Sequence, residues 1–198
     1  TSVELAGQTL SVKFATGDPV FALTLSDLSL TIGDFVTIEG SVTFSNQTIT
    51  VGGSSVAAQV FAGTGLSIFL GRGPVKLASG AINPLAIGVL LSNARIGLIS
   101  YNGGYALVAS GTVSLIGVAG VTIAGTTSVR VNTTGNAITE TLLIPGSTDP
   151  GIALSFADGA GVTEFGVSSA TLAFGGQTMT GSFGFSRVGT DVQVTLAD

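Results

Sequence analysis

Apolar residues recur at every second position through much of the chain, the spacing of a strand whose alternate side chains point to one face of a sheet. Phe21, Leu23 and Leu25 share one parity; Leu28, Leu30 and Ile32 take the other, with the switch at Ser26-Asp27. One extra residue in a strand produces such a slip, so a β-bulge is predicted there. Val36, Ile38, Val42 and Phe44 alternate next, followed by Leu66, Ile68 and Leu70, then Leu85, Ile87, Val89 and Leu91. Tyr105, Leu107, Val113 and Leu115 continue the pattern, as do Val129 and Val131, then Val192, Val194 and Leu196. "NGG" at 102–104 predicts a tight hairpin turn, "VGGSS" at 51–55 a looser one and "TTGN" at 133–136 another. "GRGP" at 71–74 and "PGSTDPG" at 145–151 mark longer connections. The predicted fold class is all-β, mostly antiparallel with long strands. A β-sandwich or an elongated β-roll is expected, because so many runs overfill one open sheet.

One strand pattern is written three times: "FVTIEGSVTF" at 35–44, "VTIAGT" at 121–126 and "TMTGSFGF" at 178–185. Gly40, Gly125 and Gly181 hold the same place in it. Glycine weakens a strand interior, so its recurrence implies a backbone cause such as a bulge, a bend or a close neighbour. A longer overlay sets residues 14–33 on 156–175. Phe14, Gly17 and Gly33 then fall on Phe156, Gly159 and Gly175, an offset of 142. After one dropped residue, Gly40 and Phe44 meet Gly181 and Phe185 at 141. The expectation is one full repeat at 14–155, preceded by the tail of another unit (1–13) and followed by the head of a third (156–198). Units of this size suit sheet-sized modules stacked in a tandem array.

Composition narrows the class. Hydrophobic residues make up 45% of the 198 and charged residues 9%, against about 25% charged in ordinary soluble domains. Thirty glycines and many Ser and Thr fill the polar positions, while helix formers are thin. Cys, His and Trp are absent. That removes disulfides, thiolate chemistry and the commonest zinc ligand and general base. The missing disulfides also point toward a bacterial or archaeal source. A net charge of −5 with six scattered Lys and Arg offers no basic stripe, so no nucleic-acid partner is expected. The longest uncharged apolar run, "PLAIGVLL" at 84–91, falls short of the ~20 residues of a spanning helix. The chain opens on Thr1, which reads as processing or excision from something longer.

The stretch "GGYALVASGTVSLIGVAGVTIAGTTSVRVNTTGNAITETL" (103–143), followed by "FADGAGVTEFGVSSATLAFGGQTMTGSFGFSR" (156–187), resembles the tandem β-strand repeats of giant bacterial surface and extracellular proteins. The resemblance spans most of 14–187 and rests on structural motifs. It implies an extracellular or cell-surface location and a structural or adhesin-like role. It supplies no catalytic residues.

Candidate chemistry is sparse. A structural calcium at array junctions would draw on Asp149 and Asp158, with Asp18 and Asp34 in loops. No D-x-D-x-D run supports it, and plain turn aspartates explain these residues as well. Lys13 lies between Val12 and Phe14, where a crosslinking lysine could sit, but a solvent-facing strand lysine is the simpler reading. Asn46 and Asn132 start N-x-T triplets that read as strand and turn formers. Glu39 and Glu164 could form a carboxylate pair only if the fold joined them; both read as surface residues. A transmembrane barrel fits the alternation but not the missing Trp, the two Tyr and the few charges, so membrane insertion is not expected. The leading expectation is a non-catalytic, cofactor-free module of a long extracellular fibre or adhesin, whose partners are neighbouring repeats meeting through β-sheet edges. A filament subunit joining identical chains by strand addition comes next, since few charges guard the edges. A polysaccharide- or surface-binding module using loops 71–84 or 145–151 is third.

Overall fold

In the computed structural model, the described residues are 2–5, 8–11, 22–32, 36–144, 148 and 150–197. They are all-β. Strands β3 (Ala22–Ile32), β4 (Val36–Val51), β5 (Ser54–Arg72), β6 (Ile87–Tyr101), β7 (Gly104–Ile116), β8 (Val121–Asn132), β11 (Val162–Phe174), β12 (Gln177–Val188) and β13 (Asp191–Ala197) form one sheet. Its order is β13-β12-β11-β8-β7-β6-β5-β4-β3, antiparallel at every junction. Between β8 and β11 the chain leaves the sheet to make a hairpin of β9 (Ile138–Leu142) and β10 (Ile152–Phe156). Among the described residues, a small ribbon of β1 (Ser2–Leu5) and β2 (Gln8–Ser11) pairs with itself.

Local sequence explains the turns. Gly52-Gly53 joins β4 to β5 with φ of 55° and 83°, and Asn102-Gly103 joins β6 to β7 with 49° and 78°. Both are two-residue turns with left-handed φ at both positions, matched to strand twist. "VGGSS" is therefore as tight as "NGG", not looser, because two adjacent glycines supply both left-handed residues. "TTGN" is not a hairpin turn: it carries the chain off the sheet. Asn132 pins this exit, its Oδ1 accepting from the Thr134 N–H at 3.1 Å and its Nδ2 donating to the Asn136 carbonyl at 2.9 Å.

Register shifts interrupt β3 between Leu25 and Leu28, β5 between Gly63 and Leu66, β6 between Ser92 and Arg95, and β11 between Val167 and Ala170. The first falls at Ser26-Asp27. Each inserted residue switches parity, so large apolar side chains stay on one face along the whole strand. Gly65, Asn93 and Ser169 take left-handed φ of 61°, 51° and 52° at these bulges.

The two faces differ. On the first, face A, the β9–β10 hairpin lies over β4–β8. Ile138, Leu142, Ile152, Leu154 and Phe156 pack there against Ile49, Val60, Ile99 and Ala106. Close approach needs small residues beneath: a Cβ on Gly97 would lie 2.8 Å from both Ile152 and Leu154. Toward the opposite end, the segment 73–86 straps the same face, burying Val75 and Ala86 with Phe69. Face B carries no such cover among the described residues.

Candidate interaction surfaces

Face B is built from one parity of nine strands. Cross-strand partners Leu25–Val42, Leu98–Leu107, Ile123–Leu172 and Phe183–Leu196 are all large and apolar. Among the described residues, Val42, Leu66 and Ala94 are the buried apolar side chains on it, packed with Leu28, Phe61 and Leu91. Elsewhere its side chains stay open: Phe183 is 43% exposed, Phe174 69% and Leu196 81%. Phe44 and Phe61 stack obliquely with ring centroids 4.7 Å apart, and Phe165 and Phe183 do so at 5.7 Å. A 420 Å³ apolar depression lies between Val113, Ile123, Phe165, Val167 and Leu172. Isolated exposed leucines need no explanation, but an apolar band of this extent does; it stops at Asn46, Gln59 and Ser100, which continue the same parity and are polar. At about 4.8 Å per strand and 3.3 Å per residue, an apolar band six residues deep over nine strands covers on the order of 850 Å². That is enough for a stable interface.

The uncovered part of face A has the opposite character. Ser110, Thr112, Thr126, Ser128, Gly166, Ser168, Ser182 and Gly184 line it by register. Its charges are paired: Lys76 of the strap meets Glu39 at 2.6 Å, and Arg130 meets Glu164. Arg130 also donates to the Ser155 carbonyl at 2.6 Å and lies 5.0 Å over the Phe156 ring, tying β8 to the hairpin. Glu140 accepts the Thr50 N–H at 3.1 Å, and Arg95 donates to the Gly151 carbonyl at 2.6 Å. These contacts hold the hairpin in place.

Glu39 on β4 and Glu164 on β11 are separated by four intervening strands, about 24 Å at sheet spacing. They make no carboxylate pair. Asp158 closes a local turn, accepting the Ala160 N–H at 2.9 Å, as an Asx turn does. Asp149, Asp18, Asp34 and Lys13 lie outside the described residues. Among the described residues, no three His, Cys, Asp or Glu side chains come together, and no helix is long and apolar enough to cross a membrane. Asn132 of the "RVNTT" triplet is buried and committed to its turn, whereas Asn46 is exposed. In the segment 71–84, Val75 and Asn83 are buried while 76–82 and 84 are exposed. Asn83 holds it, donating to the Pro74 carbonyl at 2.8 Å and accepting from the Leu85 N–H at 3.0 Å. Periodicity carries no signal for such a residue.

The recurring residues fall at equivalent places in the sheet. Gly40 faces the β5 bulge, where a Cβ would lie 3.0 Å from the Leu66 Cα. Gly125 faces the β11 bulge, where a Cβ would lie 2.9 Å from Val167 Cγ1 and 3.3 Å from the Ala170 Cα. Gly181 is the β12 partner of Ala170 at that bulge. Gly175 sits in the β11–β12 turn with φ 58°. Gly159 abuts the Gly135 carbonyl, leaving no space for a Cβ. Phe156 is buried under Arg130, while Phe44 and Phe185 project from face B. Phe14, Gly17 and Gly33 lie outside the described residues.

Strand pairing carries the same correspondence. All nine Cα partnerships of β3 with β4, from Ala22–Ser45 to Ile32–Val36, reappear between β11 and β12, from Glu164–Ser186 to Phe174–Gln177. The bulge is reproduced too, Leu28–Gly40 becoming Ala170–Gly181. The two outer strands of the sheet, β3 and β13, each have one partner among the described residues. No protein-family model, no curated protein and no solved structure matches this chain.

Proposed function

We propose that this chain is a structural β-repeat module of a long bacterial surface or extracellular protein, with no catalytic role, joined to neighbouring units through its sheet. The observation carrying this reading is the nine-pair register shared by β3–β4 and β11–β12. A chain that begins the same hairpin a second time within one sheet has the form of an array, in which each unit completes the edge of the one before. The dispersed, ion-paired carboxylates of face A fit a scaffold better than a reaction centre. Function here is mechanical: backbone ladders carry load along the sheet, and face B buries against another layer of the assembly.

Chains carrying one, two and three tandem copies of residues 14–155 test the reading. If units complete one another, the urea midpoint rises with copy number and unfolding stays cooperative across units. A midpoint independent of copy number would overturn it.

Face B supports a second reading. Exposed apolar side chains such as Phe174, Met179 and Leu196 favour adsorption to a lipid surface. Flotation with phosphatidylcholine vesicles tests this, and a chain that remains in the protein fraction refutes it.

A further inference from the structure

We infer that the outer edge of β3 is a docking site for one further antiparallel strand of the β8 type, supplied by a neighbouring unit and carrying glycine opposite the Leu25–Leu28 bulge. The inference rests on the array reading and specifies its junction. β11 stands where β3 stands, one repeat later, and its two edges hold β12 and β8. β3 has the counterpart of the first, β4, and among the described residues no counterpart of the second. Transposing the β11–β8 register by 142 sets a partner residue equivalent to Ser128 opposite Thr24, and one equivalent to Val129 opposite Leu23.

The bulge makes this edge selective. At the β5, β6 and β11 bulges, a glycine stands on an adjoining strand where a side chain would collide: Gly40 with Leu66, Gly111 with Leu91 and Ala94, Gly125 with Val167 and Ala170. For β11 that glycine comes from β8. A Cβ on Gly181, across the same bulge on β12, would touch only the Ala197 carbonyl, at 3.2 Å. β3 carries the same register shift and therefore calls for glycine from its missing partner. β13, the other open edge, reads "DVQVTLA" and has none. Head-to-tail growth of identical chains through β13 and β3 would set a side chain against the bulge. A second copy cannot lend its own β8 either, because that strand is held between β7 and β11. The partner is thus a unit that ends in a β8-type strand.

The full chain, mixed with a synthetic peptide of residues 121–132, tests the inference by hydrogen exchange and by crosslinking. Amides of β3 should exchange at least about tenfold more slowly with peptide, those of β13 unchanged. A G125V peptide should give no protection. The chain has no cysteine of its own, so L23C and T24C variants report register; both positions are exposed, and far-UV circular dichroism checks their fold. Under mild oxidation, at least one matched pair should crosslink, L23C with a V129C peptide or T24C with an S128C peptide. The crossed pair T24C with V129C should not. Three results would each overturn the inference: no protection at about 1 mM peptide, equal protection from the G125V peptide, or protection at β13 instead of β3. Failure here with a midpoint that still rises with copy number would leave the array and remove only this junction.

Discussion

Leu154 and Phe183 are both large apolar side chains in alternating strands, yet Leu154 has no exposed surface and Phe183 keeps 43% of its own. The difference lies in what stands opposite. Under the β9–β10 hairpin, face A offers Ala58, Ala62, Gly97 and Ala106, small enough for a second layer to approach. Face B presents Leu, Ile, Val and Phe from every strand. Such residues gain about 25 cal/mol per Å² when removed from water, a gain the described chain leaves unused there. One sheet thus combines a finished core with an unfinished one. The finished face holds the fold together, and the unfinished face leaves large apolar side chains in water.

That contrast can be broken from the covered side first. L154A, under the hairpin, should cost about 2–5 kcal/mol in urea unfolding, because the cavity it leaves is fully enclosed. A loss below about 1 kcal/mol would mean the hairpin does not pack as described. G125V should cost about 1–3 kcal/mol, since its side chain meets Val167 and the β11 backbone; unchanged thermal unfolding would contradict the bulge packing. E164Q, which leaves Arg130 with an uncharged partner, should shift stability by about 0–1 kcal/mol, as half-exposed ion pairs do. A double-mutant cycle with R130M isolates that coupling. The smallest effect on folding and the sharpest on behaviour belong to face B. V194S with L196S, at 66% and 81% exposed positions, should change unfolding of the isolated chain by less than about 1 kcal/mol, yet lower dye binding to exposed apolar surface and concentration-dependent association in light scattering. Large destabilisation by that pair would mean face B is already covered.

Much of the fold was legible. Alternation at Leu23, Leu25, Val42 and Phe44 marked β3 and β4, and the parity switch at Ser26-Asp27 located the bulge, because a period of two cannot absorb an extra residue silently. Gly40 and Gly125 advertised close neighbours, since a strand glycine needs a reason. The β9–β10 hairpin was not among the marked runs: Ile138, Leu142, Ile152 and Leu154 alternate over only five residues per strand. Asn83 and Asn132 were also hidden, because a buried amide is recognised by the carbonyls around it. The turn at Gly52-Gly53 is tighter than its glycine count implies, because two adjacent residues are free to take positive φ.

By itself the sequence determined that this is an all-β chain of long antiparallel strands, that most strands carry one large apolar face, and that a hairpin recurs 142 residues on. Those properties are local or periodic, and side-chain parity reports them directly. Tertiary structure alone decided which face receives the hairpin and the strap, that nine strands form a single sheet with β3 and β13 at its margins, and that Glu39 and Glu164 pair with Lys76 and Arg130 instead of each other. Each of these depends on residues far apart in the chain meeting through backbone pairing. Alternation specifies that a face must be buried; only the packed sheet specifies by what.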